Sequence, residues 1–278
     1  MTLLFDGIAS GVLLFLISVG LSVTLGLMNF VNLAHGAFSM RGGYVCVPFL
    51  ATLPVVVIVS AGVGAVLERT LYRRLYGAMH LDQVLFCIGL VLVSISTAHY
   101  FFGAQQQPLQ LPPMLSGQFH LAGGLDVDVY RLFLIVTGLA LVFALQWMGA
   151  ATPFGAKLRA SVDKPRAARG LGIDVDRVFV ATFALGSALA GLGGALGVEM
   201  LGLDPEFPVK YGVYFLIVVA VGGSGSIKGS LVASLILGIC DVAGKYHVPQ
   251  VGAFVIFGVM LVTLIFRPQG LFGRAAAK

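Results

Sequence analysis

Uncharged apolar stretches long enough to cross a lipid bilayer recur along almost the whole chain, and that repetition leaves little choice of fold. No Asp, Glu, Lys or Arg interrupts Gly7 to Met40, Gly42 to Leu67, Gln83 to Leu125, Leu132 to Ala156, Val178 to Val198 or Tyr246 to Phe266. About 20 apolar residues suffice to span the hydrocarbon core as a helix. Two shorter runs, Tyr211 to Ile227 and Gly229 to Cys240, complete the set. With 58% hydrophobic and only 10% charged residues among 278, the composition excludes a soluble globular domain. The expected fold is an all-α polytopic membrane protein of eight or nine transmembrane helices, one domain over residues 1–278.

The expected spans are Gly7 to Leu27, Ala34 to Leu50, Pro54 to Tyr72, Gln83 to Phe102, Tyr130 to Met148, Val178 to Met200, Tyr211 to Val221, Gly229 to Val242 and Val251 to Phe266. The segment Gln105 to Pro113, with three adjacent glutamines and three prolines, reads as an irregular connection. No basic region precedes the first apolar stretch, which therefore reads as a retained span and not as a signal peptide. Cys46, Cys87 and Cys240 lie inside apolar runs without a CxxC spacing, so neither a disulfide nor a metal site is expected.

Between two of the apolar runs lies a hydrophilic island, residues 152–177, that holds six of the seventeen Lys and Arg residues. Setting Glu68 to Asp82, the island and the tail from Arg267 on one side collects Arg69, Arg73, Arg74, the six island cations, Arg267, Arg274 and Lys278. The opposite loops then offer only Lys210 and Lys245, with Arg131 at a span boundary. The rule that cytoplasmic loops carry the excess of Lys and Arg makes the first side cytoplasmic. Counting back from Glu68 places the N-terminus outside. The net charge of +5 is thereby explained by topology and requires no nucleic-acid partner.

Three constellations carry the functional signal. In Met28 to Tyr44, the polar Asn29, Asn32, His35 and Arg41 interrupt an apolar region that also contains Gly36, Gly42 and Gly43. Lipid cannot satisfy such groups, so they face the protein interior or a wet cavity. They either line a path or tie two helices together. In Val219 to Gly238 the glycines invite a phosphate-loop reading, which fails because Lys228 precedes Gly229 instead of following the second glycine of GxxxxGK[ST]. The dinucleotide fingerprint fails on the spacing of Gly223, Gly225 and Gly229. Gly222, Gly223, Gly225 and Gly229 are expected to serve a tight turn and close helix packing, ahead of direct substrate contact.

The island itself is expected to break at Thr152 to Gly155, wind a short helix over Ala156 to Val162, restart at Pro165 and end at Gly170 and Gly172. With Leu158, Val162 and Leu171 for docking, it suits a groove on a peripheral protein; the alternative is a plain basic loop that fixes topology.

Five ordered segments resemble one family: NLAHGAF at Asn32 to Phe38, HLDQV at His80 to Val84, GAKLRASVDKPRAARGLGIDVDRV in the island, VGGSGSIKGSLVASLILG, and FRPQGLFG at Phe266 to Gly273. Together they are similar to the branched-chain amino-acid permeases of bacterial ABC importers, the smaller LivH-type subunit, over almost the whole chain. The resemblance implies a multi-pass inner-membrane permease working by alternating access. Its implied partners are a second homologous permease, two cytoplasmic ATPase subunits that bind ATP-Mg, and a periplasmic substrate-binding protein. It implies no cofactor or metal on this chain. By the same resemblance Gly155, Lys157, Arg159, Asp163, Arg166, Arg169, Gly170 and Gly172 belong to the ATPase-coupling region, while Asn29, Asn32 and His35 lie near the substrate path. The chain departs from the family between Tyr44 and Pro54, where a longer second span is usual.

Related permeases carry urea or short amides, and the sequence does not separate these solutes from amino acids. An ion-coupled secondary transporter would draw on Glu199 and Asp241, carboxylates close to span ends. A membrane enzyme is disfavoured, because His35, His80, His99, His120 and His247 are scattered and no HExxH, GxSxG or paired-carboxylate motif occurs.

Overall fold

The computed structural model describes residues 2–28, 32–47, 50–109, 111–113, 115–121, 125–223 and 225–273. Its elements in order are α1 (Thr2–Met28), α2 (His35–Cys46), a 3-10 turn (Leu50–Thr52), α3 (Leu53–Leu67), a π-helix (Glu68–Tyr72) and α4 (Arg73–Leu75), then α5 (His80–Phe102). A two-stranded hairpin, β1 (Gln118–Leu121) and β2 (Leu125–Asp128), precedes α6 (Val129–Ala151). There follow α7 (Pro153–Asp163), α8 (Pro165–Gly170), α9 (Val175–Leu201), α10 (Phe207–Gly222), α11 (Ile227–His247) and α12 (Gly252–Phe266). Each of the nine expected spans overlaps a helix, though the second only in part. Among the described residues six segments are long and apolar enough to cross a membrane, and α10 and α12 are shorter apolar helices.

The second expected span, Ala34 to Leu50, is corrected. Among its described residues the α-helix covers the twelve of His35–Cys46, which at 1.5 Å per residue gives about 18 Å against a core of about 30 Å, and Leu50 opens the 3-10 turn. Residues 32–34 form a turn, and His35 sits level with Ile17, the middle of α1. α2 therefore begins level with the middle of α1 and not at its end. Beyond the irregular Gln105 to Pro113 segment a hairpin follows, pairing Gln118 with Asp128 and Leu121 with Leu125.

α1 and α9 form the centre. α1 packs against α6, α9, α10 and α11, while α9 also receives α2 and α3. In the most apolar window of α1, 83% of residues are buried, against 17% in α5. α3, α5 and α6 accordingly turn Ile58, Leu92 and Phe143 outward, as lipid-facing helices do. Lipid tails are as apolar as Leu, so helices in a membrane gain by packing closely rather than by burying oil. The contacts reflect this: Gly42 of α2 lies directly on Gly191 of α9, and Gly194 of α9 on Ser39 of α2. A Cβ on Gly11 of α1 would stand 2.8 Å from the Leu235 Cα of α11. Buried hydroxyls find partners at hand, Ser18 donating to the Leu14 carbonyl (2.6 Å) and Ser230 to Ser22 across α11 and α1 (2.8 Å).

The two ends of the bundle differ in charge. At one end, Arg131 pairs with Asp6 and with Asp128 (3.2 Å), Lys210 with Asp204, and Lys245 with Asp241 (2.7 Å). Each of these three cations is matched by a carboxylate. The other end gathers α7, α8, Arg69, Arg73, Arg74 and Arg267. Residues beyond α12 return to that end, where the Leu271 and Phe272 amides donate to the Val221 and Gly222 carbonyls (2.7 and 3.2 Å). Arg274 and Lys278 lie outside the described residues.

Replacing Gly42 by Val drives a side chain into the Gly191 backbone and should cost about 1–3 kcal/mol. The measurement is the melting temperature of the detergent-solubilised protein, which falls for Gly42→Val. Gly62→Val, at a position with open space around it, serves as the comparison and leaves the melting temperature near that of the parent.

Candidate functional site

The start of α2 is stitched to its surroundings by two side chains. Asn32 Oδ1 accepts from the Ala34 amide (3.2 Å) and from the Tyr72 hydroxyl (3.0 Å), while its backbone carbonyl accepts from the His35 amide (3.1 Å). Because a backbone N–H can only donate, the amide of Ala34 fixes which end of the Asn32 carboxamide is oxygen. His35 Nε2 lies 2.9 Å from the Ile17 carbonyl and so carries the proton, and the ring meets Phe215 of α10 edge-on at 5.8 Å. Both residues are 2% exposed.

These two residues also line a cavity of about 150 Å³ bordered by Leu21, Leu33, Val209, Gly212, Val213, Phe215 and Leu216 and open on the side of the exposed Val209 and Val213. The walls are aliphatic and aromatic with two polar groups, a composition that suits a small, mostly apolar solute. Asn32 and His35 thus tie helices and face the cavity at once. Asn29, the third expected path residue, lies outside the described residues. Phe215, Gly212 and Leu216 were not singled out from sequence, since nothing distinguishes them from other apolar residues of a span.

The glycine-rich segment is a turn between α10 and α11. Gly223 (φ +93°) and Gly225 (φ +79°) adopt left-handed backbone that favours glycine. Ser226 caps α11 by accepting from the Gly229 amide (3.0 Å). Gly222 and Gly229 face each other, and Gly225 rests on Gly26 of α1. The returning residues 270–273 cover Gly223.

The island folds as two short helices meeting at an elbow. Thr152 is the N-cap, its Oγ1 accepting from the Gly155 amide (3.3 Å), and Pro153 opens α7. The helix therefore starts earlier than the expected Ala156, because proline supplies a preset φ and needs no hydrogen bond there. Gly155 lies against Gly149, where a Cβ would come within 2.7 Å of the Gly149 carbonyl carbon. Leu158 and Ser161 point inward. Leu158, expected as a docking residue, is corrected: it is spent on seating α7 against the bundle. Lys157, Arg159, Asp163, Arg166, Arg169, Gly170 and Gly172 are exposed. Arg159 donates to the Gly149 carbonyl, and Arg169 joins Arg73 on Asp176 of α9. Lys164, Pro165, Arg166, Ala167 and Arg169 line an open hollow, beside which Leu171 is 81% exposed.

A second cavity, about 350 Å³, lies at the opposite end among Leu111, Leu115, Ser116, Asp128, Tyr130, Arg131, Glu199 and Met200. Glu199 opens into it, whereas Asp241 is held by Lys245 on α11. Neither carboxylate lines the His35 cavity. Among the described residues no group of three or more His, Cys, Asp or Glu is placed to hold a metal ion.

A family model described as branched-chain amino acid transport system, permease component, matches residues 3–264. The high-affinity branched-chain amino acid transport system permease protein BraD of Pseudomonas aeruginosa is 26% identical, over 98% of this chain and 95% of its own. LivH of Escherichia coli K12, of the same description, is 28% identical over 98% of this chain and 94% of its own. A probable branched-chain amino acid transport permease protein LivH of Methanocaldococcus jannaschii is 27% identical over 94% and 89%. No solved structure matches the chain significantly.

Asn32→Leu would take the acceptor from the Ala34 amide and one partner from the Tyr72 hydroxyl. The expected loss is about 1–3 kcal/mol for the buried amide left unpaired, read as a lower melting temperature than that of Leu33→Val, which removes one methylene from the same cavity.

Proposed function

This chain belongs to the permease-component family of branched-chain amino acid transport systems, and we propose that it carries branched-chain, hydrophobic amino acids through the bacterial inner membrane as the smaller membrane subunit of an ABC importer. It is a multi-pass membrane permease. In this reading it pairs with a second homologous permease, receives solute from a periplasmic binding protein, and is driven by two cytoplasmic ATPase subunits that bind ATP-Mg. The chain itself supplies the path and the coupling surface.

The observation that carries the reading is the α7–α8 elbow. Its inward residues Gly155, Leu158 and Ser161 seat it on the bundle, and its outward face presents Lys157, Lys164, Arg166 and Leu171 without burying them. A basic loop needed only for topology has no reason to be capped, folded and held by Asp176. A partner's groove gives the exposed Leu171 and the hollow beside it a purpose. Residues 152–177 thus form the cytoplasmic coupling loop of a single membrane domain.

Nucleotide binding elsewhere can bias this subunit only if the ATPases fit one arrangement of the elbow better than another. The elbow then shifts with the ATPases, and the bundle alternates between states open to either side. The His35 cavity lies on the path. Leu21, Val213, Phe215 and Leu216 favour an aliphatic side chain, and Asn32 and His35 address the polar end of the amino acid. Its mostly apolar wall favours amino acids over urea or short amides, which would leave that wall without apolar contact.

The test is uptake of radiolabelled leucine into proteoliposomes holding the permease pair and ATPases, with binding protein outside and ATP inside. ATP-dependent leucine accumulation that excess valine suppresses and excess urea leaves unchanged is expected. Accumulation without hydrolysis, or of urea alone, contradicts the reading. In the same system Arg166→Glu should lower leucine-stimulated ATP hydrolysis about tenfold, the order expected when a like charge is placed against a complementary surface. Purified yield and melting temperature should stay at parental values, because Arg166 is exposed.

A further inference from the structure

We propose that Tyr72 is a positioning residue that links the α7–α8 elbow to the His35 cavity, so that movement of the elbow is felt at the N-terminus of α2. The proposal rests on the importer reading above and adds the route by which the coupling surface reaches the path.

Three residues of α9, Asp176, Phe179 and Phe183, are spaced three and four apart and share one face of its first three turns. Asp176 receives Arg169 from α8 (3.1 Å) and Arg73 from α4. Phe179 meets Tyr76 edge-on at 6.0 Å. Phe183 lies against Tyr72 at 4.6 Å and against Phe38 of α2 at 6.0 Å. Tyr72 then donates to Asn32 Oδ1, the same atom that receives the Ala34 amide at the entry to α2. One unbroken set of contacts therefore runs from the elbow to the wall of the cavity.

The inner part of that set is rigid. Tyr72, Phe183 and Asn32 are each no more than 2% exposed, and close-packed side chains pass a displacement on instead of absorbing it. The outer part is loose, made of ion pairs whose members are about half exposed. Give is provided in between, where Glu68–Tyr72 is wound as a π-helix. Such a turn holds an extra residue, so a return to α geometry would rotate the helix beyond it by about 100°. The Tyr76 hydroxyl bridges the segment to Glu68 Oε1 (3.0 Å), while Glu68 Oε2 is buried with no hydrogen-bond partner among the described residues. The Glu68 carboxylate is thus one hydrogen bond short of satisfied, which suits a segment with a second arrangement.

Tyr72→Phe removes one hydroxyl and keeps the ring packing. In proteoliposomes of the full complex, it is expected to leave assembly and basal ATP hydrolysis at parental values and to lower the melting temperature only slightly, as the loss of one buried hydrogen bond does. Leucine moved per ATP hydrolysed should fall about three- to tenfold, the range set by coupling residues that touch neither ligand. Asp176→Asn, at the far end of the face, should lower the same ratio. The two changes together should cost no more than the larger one, whereas distant independent sites add. A parental ratio in Tyr72→Phe, losses that multiply in the double variant, or a loss that merely tracks poor assembly would each overturn the link and leave the importer reading intact. If the unaltered complex moves no leucine on ATP, the importer reading fails first and the link falls with it.

Discussion

An interrupted helix inside a membrane is tolerated only where protein, not lipid, surrounds the break, because backbone groups freed there have no water to turn to. That constraint organises this molecule. The turn at residues 32–34 is enclosed by α1, the π-helix and α10, and Asn32 supplies an acceptor to the entry of α2. To enclose it, α2 must approach α9 closely, which Gly42, Gly191 and Gly194 permit. The cavity beside His35 is the space that remains where α2 starts late. Cavity and break are thus two aspects of one packing problem.

Charge divides the ends by role. Arg131, Lys210 and Lys245 are each neutralised by a carboxylate within the chain, so the face that the importer reading turns outward presents matched pairs. On the other face, Asp176 holds Arg169 and Arg73 in place, and Lys157, Lys164 and Arg166 project from a folded elbow. Exposed ion pairs contribute little stability, about 0–1 kcal/mol each; their value here is the position they give to α8. Gly155, Leu158 and Ser161 on the elbow's inward side seat it directly against the bundle.

Much of the architecture was legible in the sequence. Charge-free runs placed the apolar helices, and Pro153, Pro165 and Gly172 punctuated the island near its real boundaries. What escaped was set by three-dimensional neighbours. Apolar composition cannot distinguish a full span from the truncated α2; the clue was polarity at Asn32 and His35, which reported a break without giving its extent. The π-helix at Glu68–Tyr72 left no pattern, since the residues of a π turn are those of any helix. Leu158 read as available because a two-sided short helix has no intrinsic inside. The β1–β2 hairpin did carry a signal, with Gln118 to Leu121 and Leu125 to Asp128 flanking a Gly-Gly pair, but the surrounding prolines and glutamines overshadowed it. At the site, Asn32 and His35 stood out as polar intruders, while Tyr72 and Phe215 were hidden among ordinary aromatic residues of a membrane helix.

The central claim is that the elbow and the cavity move as one. Electron–electron double resonance between spin labels at Ala167 of α8 and Val213 of α10, in the assembled complex, measures it directly. The account predicts one distance distribution without nucleotide and a displaced one when ATP is bound, with the displacement lost in Tyr72→Phe. A single distribution, unmoved by ATP in a complex that still transports leucine, would contradict it.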